Sequence, residues 1–426
     1  MYNLDKMGVD DKKLISKIWK LANQFRGEMP FYDFRDYFLG LVFYKIISDQ
    51  ITRLSNSYLT NIDDKATEVI IDNEKFEKEL ENYQLFKLGY SIDRKHLFGS
   101  LIESRYRDDY SLEFQIKENL NVISKNFGYG DIDIFKGVIS NLNKYQKNRN
   151  TYALINTIEE IFIYIERNEK INYGDIFIRL IEEVAVKSAK IGSGIITPVS
   201  VSRLIAKLLN ANMKSIKQLY DPTYGCGSLI LSVCNQIPVD MIFGQEINLS
   251  NFNLARMNLI IRGVHKSKWN IGFGDSLLNP QYIDVKFDAI VCHPPFNMKW
   301  NNQRWLYTPV PPKNTADMAF VQHMLYHLDN KGTMIVVLPH GALFRGNVEN
   351  LIRKQFINNK YLDAIIGLPT NLFYETNISA CILIFKKART CNDILFIDAS
   401  MNFKKSGFRN IFSDKDIDKI IDVYNL

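Results

Sequence analysis

Apolar runs alternate with segments of helical spacing along residues 173–400. The runs are rich in Ile, Val and Phe and are flanked by Gly, Pro, Asn or Asp, which is typical of buried strands. The alternation predicts a doubly wound α/β domain with a mostly parallel sheet. The last two runs follow each other closely, which predicts an antiparallel edge. The predicted strands are 218–222, 241–246, 269–274, 287–292, 333–338, 361–367, 380–385 and 394–397, and the helices between them are 251–262, 316–328 and 348–358.

Residues 1–168 show mostly helical spacing. One predicted amphipathic segment covers residues 14–21, and a longer one, rich in aromatic side chains, covers residues 31–54. An aromatic stripe at this spacing is typical of the core of a helical bundle. The sequence therefore predicts a helical N-terminal domain at residues 1–168 and an α/β domain at residues 169–426.

Two helix boundaries carry recognisable signals. Thr197 followed by Pro198 predicts a helix with Thr197 as its N-cap and Pro198 as its first residue. Another helix is predicted to begin near Ser413 and to be still running at Leu426.

Composition and charge exclude several classes of protein. Hydrophobic residues make up 46% and charged residues 23% of the 426 positions, as in ordinary globular domains. The formal net charge of +6 permits nucleic acid as a partner but does not demand it. No apolar run approaches the roughly 18 residues of a membrane span, and the first residues do not resemble a signal peptide. The five cysteines form no CxxC pair, so we expect no metal site, no disulfide framework and a cytoplasmic location.

The run at residues 288–292 leads into His293-Pro294-Pro295-Phe296. The two prolines fix φ and remove two N–H donors, so this strand end offers carbonyl groups beside an aromatic face. Ligands of open α/β sheets bind at the carboxyl ends of strands. The segment therefore predicts a site for a flat ring with polar edges, such as a nucleobase.

A Gly-x-Gly turn follows the first predicted strand, with Asp221 just before Gly225 and Gly227. Such a turn lets a ligand approach the backbone and aims N–H groups at it. Two glycines alone do not distinguish a functional turn from a structural one, because any tight strand-to-helix turn can use them. Asp221 strengthens the indication, since a carboxylate there can meet an ammonium or sulfonium group.

The next two predicted strands also end in acidic residues. Glu246 lies about 20 residues after the glycines, where a carboxylate accepts the hydroxyls of a ribose. Asp275 is placed to bind the exocyclic amine of an adenine ring, and the alternative is an Asp that only caps a turn. Together with the glycine turn, these strand ends predict a nucleoside pocket.

The order of these motifs resembles the S-adenosylmethionine-dependent DNA adenine-N6 methyltransferases of the gamma arrangement. Flanking segments are similar to the modification (M) subunit of type I restriction–modification systems. The resemblance is close over residues 173–400 and looser over residues 1–168, which resemble that family's N-terminal helical domain. The segments that carry the similarity to M subunits are 316–320 (ADMAF), 337–341 (VLPHG), 343–346 (LFRG), 366–369 (IGLP) and 371–374 (NLFY).

The resemblance implies a cofactor, a reaction and a set of site residues. One adenine would be flipped out of the DNA duplex and stacked on Phe296, with residue 293 and the Pro294 carbonyl accepting hydrogen bonds from its N6 amine. No metal is required. The implied catalytic residues are His293, Pro294, Pro295 and Phe296, and the residues implied to bind S-adenosyl-L-methionine are Thr197, Pro198, Asp221, Gly225, Gly227, Glu246 and Asp275.

The same resemblance implies partners. They are double-stranded DNA, a separate specificity (S) subunit that chooses the target, a second copy of this chain in the complex, and a restriction (R) subunit that can join it. The N-terminal domain is implied to make DNA or partner contacts. We expect the short C-terminus to weaken docking on the specificity subunit.

The chain departs from the family at His293, where Asn is usual. A neutral His with its proton on Nε2 would accept one hydrogen bond at Nδ1. The ring is larger and changes charge near neutral pH, which favours loss of catalysis over its retention. Two alternatives therefore stay open beside the methylating subunit: an impaired M-like subunit with a binding role only, and a methyltransferase that acts on RNA or on a protein amide.

Overall fold

A computed structural model describes residues 29–63, 73–104, 111–127, 133–144, 151–166, 172–188, 196–303, 305–374, 376–407 and 409–426. These residues form two compact units. The first contains the described residues up to Val184 together with Arg256–Lys266, and the second contains those of Ala185–Ala255 and Ser267–Leu426. The predicted helical segment at residues 14–21 lies outside the described residues, and the domain boundary after residue 168 stays a prediction.

The first unit is helical in its described part. Its longest helix confirms the aromatic-rich segment at residues 31–54, because Phe34, Phe38, Val42 and Ile46 follow one face and are all buried. A Cβ on Gly40 would lie 2.0 Å from Val138, so this glycine allows two helices to pack closely. The helices are α1 (Phe31–Asp63), α2 (Asn73–Leu88), α3 (Phe98–Ser104), α4 (Leu112–Asn126), α5 (Lys136–Lys144), α6 (Thr151–Glu166) and α7 (Tyr173–Ser188), of which the residues from Ala185 onward belong to the second unit.

An eight-stranded sheet in the order β3-β2-β1-β4-β5-β7-β6-β8 forms the centre of the second unit. All of the predicted strands are confirmed, although β5 begins at Leu328 rather than at residue 333. A short exposed hairpin was not predicted. The strands are β1 (Ile216–Asp221), β2 (Val239–Glu246), β3 (Trp269–Phe273), β4 (Phe287–Cys292), β5 (Leu328–Pro339), β6 (Leu362–Gly367), β7 (Ala380–Lys386) and β8 (Leu395–Asp398), and the hairpin strands are β9 (Lys404–Ser406) and β10 (Arg409–Ile411).

The predicted antiparallel edge is wrong. β7 lies inside the sheet, antiparallel to both β5 and β6, and the edge strand β8 pairs in parallel with β6. Burial explains the order, because every residue of β7 before Lys386 is buried, whereas only Ile397 of β8 is. A strand that is apolar on both faces gains most between two neighbours.

The chain changes direction across the sheet at β1. It runs from β1 outward through β2 to β3 and then returns to β4 on the other side of β1, and all of these pairs are parallel. This is the topological switch point at which open α/β sheets bind ligands. The helices after α7 are α8 (Val199–Asn212), α9 (Ser228–Cys234), α10 (Leu249–Ile261), α11 (Asp317–His327), α12 (Gly341–Phe344), α13 (Asn347–Asn358) and α14 (Asp414–Tyr424). All belong to the second unit except the part of α10 from Arg256 onward, which belongs to the first.

Two helix predictions are corrected. α14 is capped at its start by Ser413 and Asp416 and ends at Tyr424, so the helix is not still running at Leu426. α8 begins at Val199 with Pro198 in the N-cap position, so Thr197 is not the N-cap. None of the described helices is long and apolar enough to cross a bilayer.

Aromatic packing beneath the switch point joins β1 to β4. The buried ring of Tyr220 stacks on Phe287 with 4.4 Å between centroids, and its hydroxyl lies 3.1 Å from Nε2 of His323. Tyr282 meets Tyr220 edge to face. Buried aromatic pairs of this kind hold neighbouring strand ends in a defined position.

Candidate active site

A cavity of about 650 Å³ opens at the carboxyl ends of the first four strands. The strands lie side by side in the order β3, β2, β1 and β4, so Asp275, Glu246, Asp221 and His293 follow one another along a single edge of the sheet. The volume falls in the range of small-molecule sites. Parallel pairing thus brings together four polar residues that are far apart in sequence.

Nine of the eleven residues singled out in the sequence line this cavity. Pro198 and Gly227 do not line it; the first precedes α8 and the second precedes α9. The residues that do are Thr197, Asp221, Gly225, Glu246, Asp275, His293, Pro294, Pro295 and Phe296.

The glycine turn is built differently from the expectation. Gly225 donates its N–H to Glu246 Oε2 at 2.8 Å, and Gly227 donates its N–H to the carbonyl of Tyr224 at 2.9 Å. Both N–H groups therefore donate to acceptors within the protein and are not available to a ligand. The glycines are required by their positive φ of 55° and 82°, and by the ring of Tyr224, which would lie 2.6 Å from a Cβ on Gly227.

Asp221 is a buried carboxylate at the end of β1. Its Oδ1 accepts hydrogen bonds from the N–H of Thr223 at 2.8 Å and from the Thr223 hydroxyl at 3.3 Å. Burial raises the pKa of Asp221 to about 7, against the effect of the Thr223 N–H and with a further contribution from Glu246. A cation in the cavity would favour the ionised form.

Glu246 and Asp275 both accept hydrogen bonds from nearby backbone N–H groups, and both can still accept hydrogen bonds from a ligand. Glu246 accepts from the N–H groups of Gly225 and Asn248, each at 2.8 Å, and burial raises its pKa against these bonds. Asp275 Oδ1 accepts from the N–H groups of Leu277 and Leu278, as the turn alternative expects. Its Oδ2 accepts no hydrogen bond within the described part of the chain. A carboxylate has about four acceptor positions, so each can also bind a ligand.

His293 is partly buried at the end of β4. Burial lowers the pKa of His293 to about 4, which favours a neutral ring over the charge change that the sequence predicted near neutral pH. Its Nδ1 lies 3.2 Å from the Thr197 hydroxyl, so Nδ1 is not free to accept a ligand. Thr197 therefore contacts His293 instead of capping α8.

Phe373 was not predicted as a site residue, although it lies in the segment at 371–374. Its ring centroid is 4.8 Å from that of His293 and 5.5 Å from that of Phe296, and the His293–Phe296 centroids are 5.2 Å apart. The three rings form one corner of the cavity. Phe373 lies in residues 371–374, one of the segments that are similar to M subunits, and this was its only signal in the sequence. Its contacts with His293 and Phe296 depend on the fold.

Polar side chains from residues 316–320 and 343–346, two more segments that are similar to M subunits, contact the turn after Phe296. Asn297, which has a φ of 54°, donates its N–H to Asp317 Oδ1 at 3.2 Å and accepts from Arg345 Nη1 at 3.0 Å. Arg345 also pairs with the fully buried Asp317 and, at 2.6 Å, with Glu349. Asp317 and Arg345 thus give a structural role to the segments at 316–320 and 343–346, to which the sequence assigned none.

Comparisons with known proteins agree with this architecture. The N-6 DNA methylase family model matches residues 168–426, and the HsdM N-terminal domain model matches residues 14–161. The chain is 30% identical to the type I restriction enzyme MpnII methylase subunit of Mycoplasma pneumoniae, over 96% of this chain and 83% of that protein. It is 27% identical to the MjaIX methylase subunit of Methanocaldococcus jannaschii, over 96% and 76%.

A solved structure is similar over nearly the whole chain. It is the type I restriction–modification system methyltransferase subunit from Streptococcus thermophilus, with a TM-score of 0.80 and 29% identity over 97% of this chain and 92% of that one. Because the N-6 DNA methylase model matches more than half of the sequence, the chain belongs to the N-6 DNA methylase family, among the S-adenosyl-L-methionine-dependent methylase subunits of type I restriction enzymes.

Proposed function

We propose that the cavity binds S-adenosyl-L-methionine beside a flipped adenine of double-stranded DNA, and that His293, Pro294, Pro295 and Phe296 direct methyl transfer to the adenine N6. The observation that carries this proposal is the alignment of four parallel strand ends, which brings three carboxylates and the His-Pro-Pro-Phe turn to one cavity. Family membership favours DNA over the RNA and protein-amide alternative.

The polar lining of the cavity fits the cofactor. Asp221 is suited to its cationic groups, Glu246 to the ribose hydroxyls and Asp275 Oδ2 to the adenine amine. Asn251 lines the same wall and has a buried Oδ1 without a hydrogen-bond partner in the described part of the chain, which a ribose hydroxyl would satisfy. The bound cofactor supplies an electrophilic methyl group. Pro198 and Gly227 would act by shaping the starts of α8 and α9.

The aromatic corner fits the target base. Flipping an adenine costs a few kcal/mol, which stacking on Phe296 and Phe373 offsets. The neutral ring of His293 and the carbonyl of Pro294 accept the two N–H groups of the amine. These hydrogen bonds draw the nitrogen lone pair out of conjugation and toward the methyl group. As the N6–C bond forms, the S–C bond of the sulfonium would break and S-adenosylhomocysteine would leave, and the methylated nitrogen would then lose one proton to solvent. Positioning of the two reactants then supplies most of the rate.

We further propose that a specificity subunit chooses the target and that two copies of this chain act in one complex, which a restriction subunit can join. The support is that the curated relatives are named methylase subunits, a term that implies other subunits. Residues 1–168 would form the N-terminal domain that contacts DNA or partners, and the complex would act in the cytoplasm, where its DNA lies.

The first test is transfer of labelled methyl groups to DNA, RNA and protein by the chain with its specificity subunit. We expect N6-methyladenine in DNA from the natural chain and from His293→Asn. Product from His293→Asn alone would establish the impaired alternative. If the cofactor binds but neither chain methylates DNA, the proposed function is wrong.

Alanine variants of two phenylalanines, one inside and one outside the aromatic corner, test the role of that corner. Phe296→Ala should lower the rate by about tenfold or more, the cost of losing one base–aromatic stack. Phe396→Ala serves as the control, because Phe396 lies on the edge strand β8 and is 68% exposed. Equal rates for the two variants would contradict the role of Phe296.

A further inference from the structure

The contact between Thr197 and His293 joins two residues at the mouth of the cavity. Thr197 is buried and its Oγ1 lies 3.2 Å from Nδ1 of His293. In the described part of the chain, neither this hydroxyl nor the imidazole has another hydrogen-bond partner. The hydroxyl can either donate to an unprotonated Nδ1 or accept from a protonated one.

The target amine decides between these two directions of the Thr197–His293 hydrogen bond. An amine that is about to be methylated can only donate its N–H groups, because its lone pair is the nucleophile. Nδ1 is already occupied by Thr197, so Nε2 is the ring atom left to accept. A neutral imidazole carries one proton, and Nε2 accepts only if that proton is on Nδ1.

We infer that Thr197 is a positioning residue that accepts the Nδ1–H of His293 and so leaves Nε2 as the acceptor for the target amine. This inference rests on the proposed function and adds a residue-specific reason why His works where the family uses Asn. An Asn amide carries its acceptor and its donors on separate atoms, so it needs no neighbour to set a tautomer. The opposite tautomer would present a donor to the amine and block its approach.

The rate test is a double-mutant cycle with Thr197→Val and His293→Asn, measured as methyl transfer to unmethylated plasmid DNA in the complex with the specificity subunit. Thr197→Val should lower kcat about tenfold or more in the His293 chain, the effect of leaving a buried donor without a partner. Its effect in the His293→Asn chain should be several-fold smaller. Thr197→Ser keeps the hydroxyl and should recover most of the lost rate.

A spectroscopic test reads the tautomer directly. In the chain with ¹⁵N-labelled histidine, S-adenosylhomocysteine and 2′-deoxyadenosine, we expect the His293 proton on Nδ1, and on Nε2 after Thr197→Val. A proton on Nε2 in the natural chain, or an equal cost of Thr197→Val in both backgrounds, would overturn the inference. Absence of methylation by both the natural and the His293→Asn chains would instead overturn the proposed function, and this role of Thr197 with it.

Discussion

Burial shifts two titratable residues of the cavity in opposite directions. It raises the pKa of Asp221 to about 7 and lowers the pKa of His293 to about 4, because a low-dielectric surrounding disfavours the charged form of either group. Near pH 7 these shifts favour a neutral imidazole and hold the proton of Asp221 more tightly than an exposed carboxyl would. A cationic ligand beside Asp221 would favour the ionised form of its carboxylate.

Cofactor affinity should depend on the ionisation of Asp221. A bound cation stabilises the carboxylate, so affinity should rise roughly tenfold between pH 6 and pH 8 and then level off. Calorimetric titration of S-adenosyl-L-methionine from pH 5.5 to pH 8.5 measures this. Asp221→Asn serves as the control and should remove this dependence. The same pH dependence in both chains would contradict the assignment.

The same shift has a consequence for stability. The pKa of Asp221 is higher in the folded chain than in the unfolded one, so its contribution is fully present below the unfolded value of 3.8 and is lost as the pH rises through about 7. His293 has the reverse sign, because its lowered pKa makes stability fall as the pH drops from about 6.5 through 4.

At the scale of elements, the turn after β4 is held by side chains from two helical segments. Arg345 follows α12 and Asp317 begins α11, and together they contact both the backbone and the side chain of Asn297. Asp317 is fully buried, so its charge depends on Arg345 for compensation. The position of Phe296 is thereby linked to residues 20 to 50 positions later in the chain.

Arg345→Met should lower the free energy of unfolding of the second unit by about 2–3 kcal/mol, because it leaves Asp317 buried without its partner. Urea denaturation measures the loss, and methyl transfer should fall as the turn loosens. Lys207→Met is the control, since it removes a pair with the more exposed Asp418 and should cost less than about 1 kcal/mol. Similar losses for both variants would contradict the network.

Gly244 in β2 provides a second prediction at this scale. A Cβ there would lie 1.9 Å from the Tyr224 ring, so Gly244→Ala must displace the ring and the glycine turn that it holds. We expect a loss of about 1–3 kcal/mol in urea denaturation and weaker cofactor binding. Gly346→Ala is the control, because a Cβ there meets nothing within 4 Å and φ is an ordinary −77°. It should cost no more than about 1 kcal/mol, the effect of alanine at the N-cap of α13, and should leave cofactor binding unchanged.

At the scale of the whole molecule, the net charge determines how strongly the chain alone attracts DNA. The 53 basic and 47 acidic residues leave a formal net charge of only +6, which gives a weak long-range attraction to DNA. If the chain acts in the complex proposed above, the other subunits would supply much of the phosphate neutralisation.

The chain alone should therefore bind DNA in the non-specific range of about 10⁻⁴–10⁻⁶ M near 0.15 M salt. Fluorescence anisotropy with a labelled duplex measures this, and adding the specificity subunit should strengthen binding by at least about 10³-fold. Nanomolar binding by the isolated chain would contradict the expectation.

Local features of the sequence determined most elements and the identity of the motifs. The runs of the parallel strands, the helices between them, the His-Pro-Pro-Phe turn and the acidic strand ends follow from residue periodicity and from Pro and Gly chemistry, both of which act within a few neighbouring residues. The resemblance to type I methylase subunits also rested on such short segments.

Only the tertiary structure decided how those segments meet. β7 lies between β5 and β6, Thr197 turns to a histidine 96 positions away, and Tyr224 occupies the space that Gly244 leaves. The burial that moves the pKa values of Asp221 and His293 comes from several elements at once. Each of these depends on contacts between residues distant in sequence, and local periodicity carries no information about such contacts.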